Sequence, residues 1–204
     1  AVDLKIALDY YHYEGLFSPA FTGFEPQAPY ADSLSLNTEA RWRRVFADRH
    51  TLNVGVEYQE NLRQDLGRDN LATGQAVTRV RESSRYVSPF AQLDLELAQD
   101  LRASAGGRFD HYSTGEERFT PRLGLIWDAS SATTLKLLYG ESFRVPNIEE
   151  RYVAEVGIVP NPDIGPELNR SWEAIALHRL NATWQLDARA HHTLSDDLIT
   201  TVLT

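Results

Sequence analysis

Apolar and polar residues alternate with a period of two along most of this 204-residue chain. That spacing predicts half-buried β-strands, and the 3.6-residue period of helices is nearly absent. Val2, Leu4, Ile6, Leu8 and Tyr10 share one side of the first segment, with Asp3, Lys5, Ala7, Asp9 and Tyr11 on the other. Leu52, Val54, Val56 and Tyr58 oppose Asn53, Gly55, Glu57 and Gln59 in the same way. Val87, Pro89, Ala91, Leu93, Leu95 and Leu97 oppose Ser88, Gln92, Asp94 and Glu96. Leu123, Leu125 and Trp127 stand against Arg122, Gly124 and Asp128, and Trp184, Leu186, Ala188 and Ala190 against Gln185, Asp187 and Arg189. About nine strands are predicted, with a tenth beginning near Leu198.

The connections alternate in length. Long loops are expected over Glu14–Asp32, Arg63–Ser84 and Arg144–Arg170, and a medium one over Ser113–Arg118. Tight turns are expected at Ala47–His50, Ala98–Asp100, Ala129–Ser131 and Leu180–Ala182. Every hairpin thus has a short end and a long end, the asymmetry of an up-and-down membrane barrel. Greek-key sandwiches seldom keep it through four consecutive hairpins. The predicted fold class is all-β, an antiparallel up-and-down meander forming a segment of a large transmembrane β-barrel. Trp42, Trp127 and Trp184 lie close to short turns, while Tyr10, Tyr58, Tyr86, Tyr112 and Tyr139 lie nearer the long loops. Two aromatic girdles would give that distribution, as would ordinary enrichment of aromatics in strands.

Composition narrows the reading only at a few points. Hydrophobic residues make up 42% of the chain and the mean hydropathy is −0.39. No stretch approaches the eighteen or so apolar residues of a spanning helix. Barrel strands average to just such a composition, because polar residues alternate with apolar ones. There is no cysteine for a disulfide framework or thiolate site. There is also no methionine, and the chain opens within a strand pattern without a signal-peptide profile, so a portion of something larger is expected. A net charge of −9 argues against nucleic acid as a partner.

The run SFRVPNIEERY through NPDIGPELNRSWE, Ser142 to Glu173, carries the pattern F-R-x-P, then N-P-D-[IL]-x-P-E, then a strand opening S-W-E. This resembles the barrel domain of TonB-dependent outer-membrane receptors. The segments HTLNVGVEYQENL, GGRFDHYS and TPRLGLIWDASSATTLKLLYGESFRVP are similar to further strands of that family, in its order, from about Leu52 to Leu198. Gly165 departs from the polar residue more usual before Pro166. The resemblance implies residues 1–204 are part of the barrel domain, with the plug domain and remaining strands outside the chain. It implies a bacterial outer-membrane location, outer-membrane lipid as surroundings, and capture of a ferric siderophore, haem or cobalamin-class ligand. Energy would come from the TonB complex, acting through the missing N-terminal region. A plugless structural or adhesive barrel is the alternative, and a soluble all-β binding or hydrolytic module a further one.

Candidate substrate contacts fall in the long loops: Phe17, Phe21, Phe24 and Tyr30 in the first, and Arg144, Asn161 and Asp163 in the last. Exposed aromatic clusters bind partners, but packing among the loops explains these four equally. Pro162 and Pro166 keep the NPDIGPE run out of a strand, while Asn161, Asp163 and Glu167 offer acceptors that brace the loop or contact a ligand. Arg144 is expected to meet a lumen carboxylate. Alternation places Lys5, Asp9, Glu39, Arg41, Glu57, Asp94, Glu96, Arg102, Arg108, Asp110, Arg122, Lys136, Asp187 and Arg189 on the inward face. No cofactor, metal or catalytic residue is expected. His191 and His192 are adjacent in a strand and point to opposite faces, and no nucleophile elbow or phosphate-binding glycine loop is present.

Overall fold

The computed structural model describes residues 1–18, 25–153 and 159–200. Nine strands form one sheet in chain order. They are β1 (Val2–Glu14), β2 (Gln27–Phe46), β3 (His50–Asn70), β4 (Ala76–Glu96), β5 (Leu101–Tyr112), β6 (Glu117–Ser130), β7 (Thr133–Arg144), β8 (Glu167–Arg179) and β9 (Gln185–Asp196). Every neighbouring pair is antiparallel. A short helix, α1 (Ile148–Tyr152), lies in the connection between β7 and β8. No tenth strand is seen between Asp197 and Thr200.

Register carries the alternation of each strand across the whole sheet. Val2 faces Trp42, which faces Val54, which faces Ala91. The row continues through Gly107 to Pro121. A parallel row runs Leu125, Leu137, Ala174, Ala190. One face is therefore a continuous apolar band, and the other collects the charges that alternation assigned to it. A one-residue slip anywhere would exchange the faces, so the pattern specifies the register. Among the described residues only Val80 and Val153 are buried apolar side chains. The described residues form no central hydrophobic core, because their apolar surface points outward.

The short turns are tight for local reasons. Ala47 and Asp48 both take left-handed backbone, φ 48° and 58°, the paired conformation that matches the twist of the flanking strands. Within the sheet Gly55 is required. A Cβ there would fall 2.5 Å from Cζ of Phe90 and 2.6 Å from the Ala40 carbonyl oxygen.

The long loops are shorter than expected. The region Arg63–Ser84 is mostly strand: the β3–β4 ladder runs on to Asp69 opposite Ala76, leaving residues 71–75 as the connection. β2 likewise starts at Gln27, well inside the loop predicted to reach Asp32. β8 starts at Glu167 rather than after Arg170. Strands β2, β3 and β4 have 20, 21 and 21 residues, against the roughly 9–11 that cross a bilayer. They form a three-stranded blade rising beyond the apolar band. Charged residues occupy both of its faces, around the one apolar row Ala31–Leu66–Val80, so the period-two contrast that marks a half-buried strand weakens there. Tyr86 and Tyr112 also differ from the girdle expectation. They lie on the polar face, directly opposite each other, with ring centroids 5.1 Å apart.

Candidate functional site

Two regions gather functional chemistry: the long-loop end and the polar face beneath it. At the long-loop end, Arg144 closes β7 and holds two carboxylates. Its Nε donates to Glu167 at 2.9 Å and an Nη donates to Glu150 at 2.8 Å. Asn147 caps α1, accepting from the Glu150 amide at 2.9 Å, while Glu150 accepts from the Asn147 amide at 2.8 Å. This capping box fixes the direction in which α1 leaves the sheet. The helix packs on β4, with Val80 and Val153 buried nearby. Buried Arg151 pairs with Glu116 in the β5–β6 turn. The β7–β8 connection is thus a strap that crosses β6 and β5 to reach β4.

The strap's carboxylates are held ionised. The Arg144 guanidinium keeps Glu150 below the ordinary carboxylate range. Burial pushes Glu116 up, but hydrogen bonds from Thr114 and Arg151 outweigh it and leave the group below its ordinary value.

The polar face carries a denser network. Arg108 on β5 donates to Asp110 at 2.6 Å and also pairs with Glu57 on β3. The Ser88 hydroxyl on β4 donates to Asp110 at 2.5 Å. The Arg108 guanidinium stacks 5.9 Å from the Tyr86 ring centroid. Above these, uncharged groups continue in series: Gln59 donates to Asn61 at 2.7 Å, Asn61 to Ser84 at 2.8 Å, and Ser84 to Gln64 at 2.8 Å. Beside the network lies a recess of about 330 Å3 lined by Arg41, Asn53, Gln92, Gly106, Arg108 and Arg122. Such a wall satisfies itself and still presents donors and acceptors to whatever fills the space in front of it. It offers recognition and no reaction.

The predicted contact residues are not brought together. Phe17 is exposed and forms a bridge with Gln27 that closes the base of the first loop. Phe21 and Phe24 lie outside the described residues. Tyr30 sits within β2, its ring against Gly67, where a Cβ would come within 2.5 Å. The Arg79 guanidinium lies 5.7 Å from the same ring, so Tyr30 braces the blade. Asn161 accepts from the Asp163 amide at 3.1 Å in an exposed turn. Arg144 meets Glu150 of α1 and Glu167, its partner across the β7–β8 ladder on the inward face. The N-x-x-E spacing of Asn147 and Glu150 was the signal that could have found α1. Nothing local announced the pairing of Arg151 with Glu116.

Comparisons with known proteins agree with this architecture. A family model described as TonB dependent receptor-like, beta-barrel, matches residues 2–204. An iron-regulated outer membrane virulence protein of Vibrio cholerae is 25% identical over 159 residues, covering 75% of this chain and 24% of that protein. The chain therefore spans about a quarter of the length of that curated relative. Among solved structures, the copper transporter OprC superposes with a TM-score of 0.76 at 15% identity, over 95% of this chain and 36% of its own. The siderophore receptor PirA of Acinetobacter baumannii gives a TM-score of 0.70 at 18% identity, over 94% and 32%.

Proposed function

This chain belongs to the TonB-dependent receptor β-barrel family, an outer-membrane family of receptors and not of enzymes, and on that premise we propose that it is barrel wall from an importer of ferric siderophores. The carrying observation is the two-faced sheet, an apolar band outside and a self-satisfied hydrogen-bonding wall inside, with the blade and strap at the long-loop end. That end would face the exterior and meet the ligand, and the polar face would line the lumen. The plug domain and the strands that complete the barrel would lie outside residues 1–204. Support comes from the open sheet, in which β1 and β9 are the end strands, and from a relative of which the match covers 24%. An unpaired edge in lipid costs several kcal/mol per backbone group, so a spanning sheet of this kind requires further strands.

The relatives and the composition support this ligand class. One relative is named iron-regulated and one structural neighbour is a siderophore receptor. Another neighbour is a copper transporter, but this portion has no methionine or cysteine and so contributes none of the sulfur ligands that select Cu(I). An oxygen-ligated ferric chelate, held by the polar wall and exposed loop groups such as Phe17, Asn161 and Asp163, fits better than haem or cobalamin. Energy from the TonB complex would release it inward.

The test is uptake by iron-starved cells expressing the full-length receptor, with radioiron-labelled ferric siderophores, radioiron-labelled haem and radiocobalt-labelled cobalamin compared. Uptake of a ferric siderophore that disappears in a TonB-null strain is expected. Uptake that persists without TonB, or binding to cells with no import of any of the three ligands, would sink the proposal. The latter result would favour a structural or adhesive barrel.

A further inference from the structure

At the boundary between the apolar band and the blade, β3 contains a bulge. Asn61 faces Ser84 and Gln64 faces Glu82, so Leu62 and Arg63 together oppose a single position on β4. Towards β2 the same step sets Arg63 opposite Leu34 while Asn61 stays opposite Ser35. A bulge adds one residue to a strand and re-aims side chains. Here it turns two consecutive residues, one apolar and one cationic, onto the outward face. Leu62 is half exposed there, at 50%, and Leu34 and Leu36 lie on the same face through their pairing with Tyr10 and Leu8.

Arg85 shares that face. It stands opposite Glu60, two residues beyond Tyr58 on β3. Arg63 and Arg85 are diagonal neighbours across β3 and β4, with backbones about 7–8 Å apart. Among the described residues neither guanidinium has a carboxylate within ion-pair distance; Arg85 bonds Ser113 only through its main chain. The carboxylates around them are otherwise engaged. Asp32 lies 2.9 Å from His12 Nδ1 and accepts from Tyr10 at 3.3 Å. Glu60 accepts the Tyr58 hydroxyl at 2.7 Å, and Asp65 lies 3.9 Å from Arg81. Arg63 attracts Asp32 electrostatically and Arg85 faces Glu60 across the ladder, but among the described residues neither fork closes on a carboxylate at the height where apolar surface ends.

We propose that Arg63 and Arg85 clamp the phosphate of a phosphorylated lipid in the outer leaflet, its acyl chain lying along Leu34, Leu36, Leu62 and Tyr58. Arginine forks match phosphate oxygens two at a time. The site joins the apolar band without a break, so one amphipathic molecule satisfies both halves. The inference rests on the outward orientation of the apolar face and on the proposed exterior position of the long-loop end, and is independent of which nutrient the receptor carries.

The experiment uses the full-length receptor, purified in detergent and exchanged with phosphatidylethanolamine vesicles containing diphosphoryl lipid A or the same lipid stripped of phosphate. Lipid retained by the folded protein is counted by native mass spectrometry. Preference for the phosphorylated form should fall about fivefold with Arg63→Ala or Arg85→Ala and further in the double variant. Lysine at both positions should keep only part of it, because it supplies the charge without the fork, and Arg81→Ala should leave it unchanged. Heat-modifiable mobility of each variant confirms a folded barrel before lipid is counted. An unchanged preference in the folded double variant overturns the clamp. Complete displacement of the lipid by inorganic phosphate overturns the lipid assignment in favour of a free-anion site.

Discussion

On the apolar face Val2, Leu4, Ile6 and Leu8 are 76, 70, 66 and 65% exposed, while on the polar face Ser88 and Asp110 are 0 and 3% exposed. A water-soluble domain shows the reverse, with its large aliphatic side chains inside. The difference arises from the solvent. Hydrocarbon accepts exposed leucine at no cost, whereas the polar face must satisfy its own charges because each one that lacks a partner is expensive. The outward face needs no partners for its side chains, only continuity. The inward face needs specific partners, and Arg108, Glu57, Asp110 and Ser88 supply them to one another across three strands.

The largest expected effect tests this contrast at adjacent residues. Leu137 is outward, between Leu125 and Ala174, while Leu138 is inward, between Gly124 and Glu173. In the full-length receptor Leu137→Arg should cost about 2–4 kcal/mol of folding stability, the penalty for arginine near the bilayer midplane. Leu138→Arg gains Glu173 as a neighbour and should cost less than about 1 kcal/mol. Urea unfolding in lipid vesicles measures both, and equal losses would refute the assignment of the faces.

Within the polar face, Arg108→Met strands two carboxylates. Removing one member of a fully buried ion pair costs about 3–5 kcal/mol. The Arg108 side chain is 27% exposed, so about 2 kcal/mol is expected. Adding Asp110→Asn should recover part of the loss, which the same unfolding measurement would show. If the single variant is as stable as the parent, the network does not hold the wall together.

The smallest effect concerns the strap, which belongs to neither face. Glu116 and Glu150 are more acidic in the folded strap than their ordinary value of 4.5. A carboxyl depressed by folding stabilises fully above its unfolded value and loses that contribution as pH falls through its folded value. The strap should therefore be firm at neutral pH and loosen below about 4.5. Limited proteolysis between β7 and β8 should accelerate over that range. Glu116→Gln should raise the rate at neutral pH and flatten its pH dependence, and a parent protein whose cleavage ignores pH would contradict the linkage.

The parts of the fold that were readable are those set by neighbours in sequence. Alternation around Leu52–Gln59 or Leu123–Asp128 identifies strands and assigns every charge to a face, because a strand repeats every two residues whatever pairs with it. Legibility fails where charged residues occupy both faces. Arg63–Ser84 reads as a loop because Gln64, Asp65, Arg68 and Asp69 show no contrast, and the bulge at Leu62 shifts the parity of every later residue in β3. It fails again for Tyr86 and Tyr112, where height along the strand suggested a girdle but parity with Ser88 and Asp110 places them inside. Of the expected contact residues, Arg144 holds Glu150 and Glu167 and Tyr30 lies against Gly67 and Arg79, contacts that no local pattern announced.

By itself the sequence determined a meander of two-faced strands with unequal connections, since periodicity, turn residues and connection length are local properties of a chain. Only the tertiary structure decided which residues meet. Arg108 finds Glu57 from fifty-one residues away, and Arg151 finds Glu116 from thirty-five. The strap's landing place on β4 and the pairing of Leu62 and Arg63 on one face were settled in the same way. Each depends on how strands are staggered against one another, and that stagger is fixed by the sum of all cross-strand contacts and by no single segment.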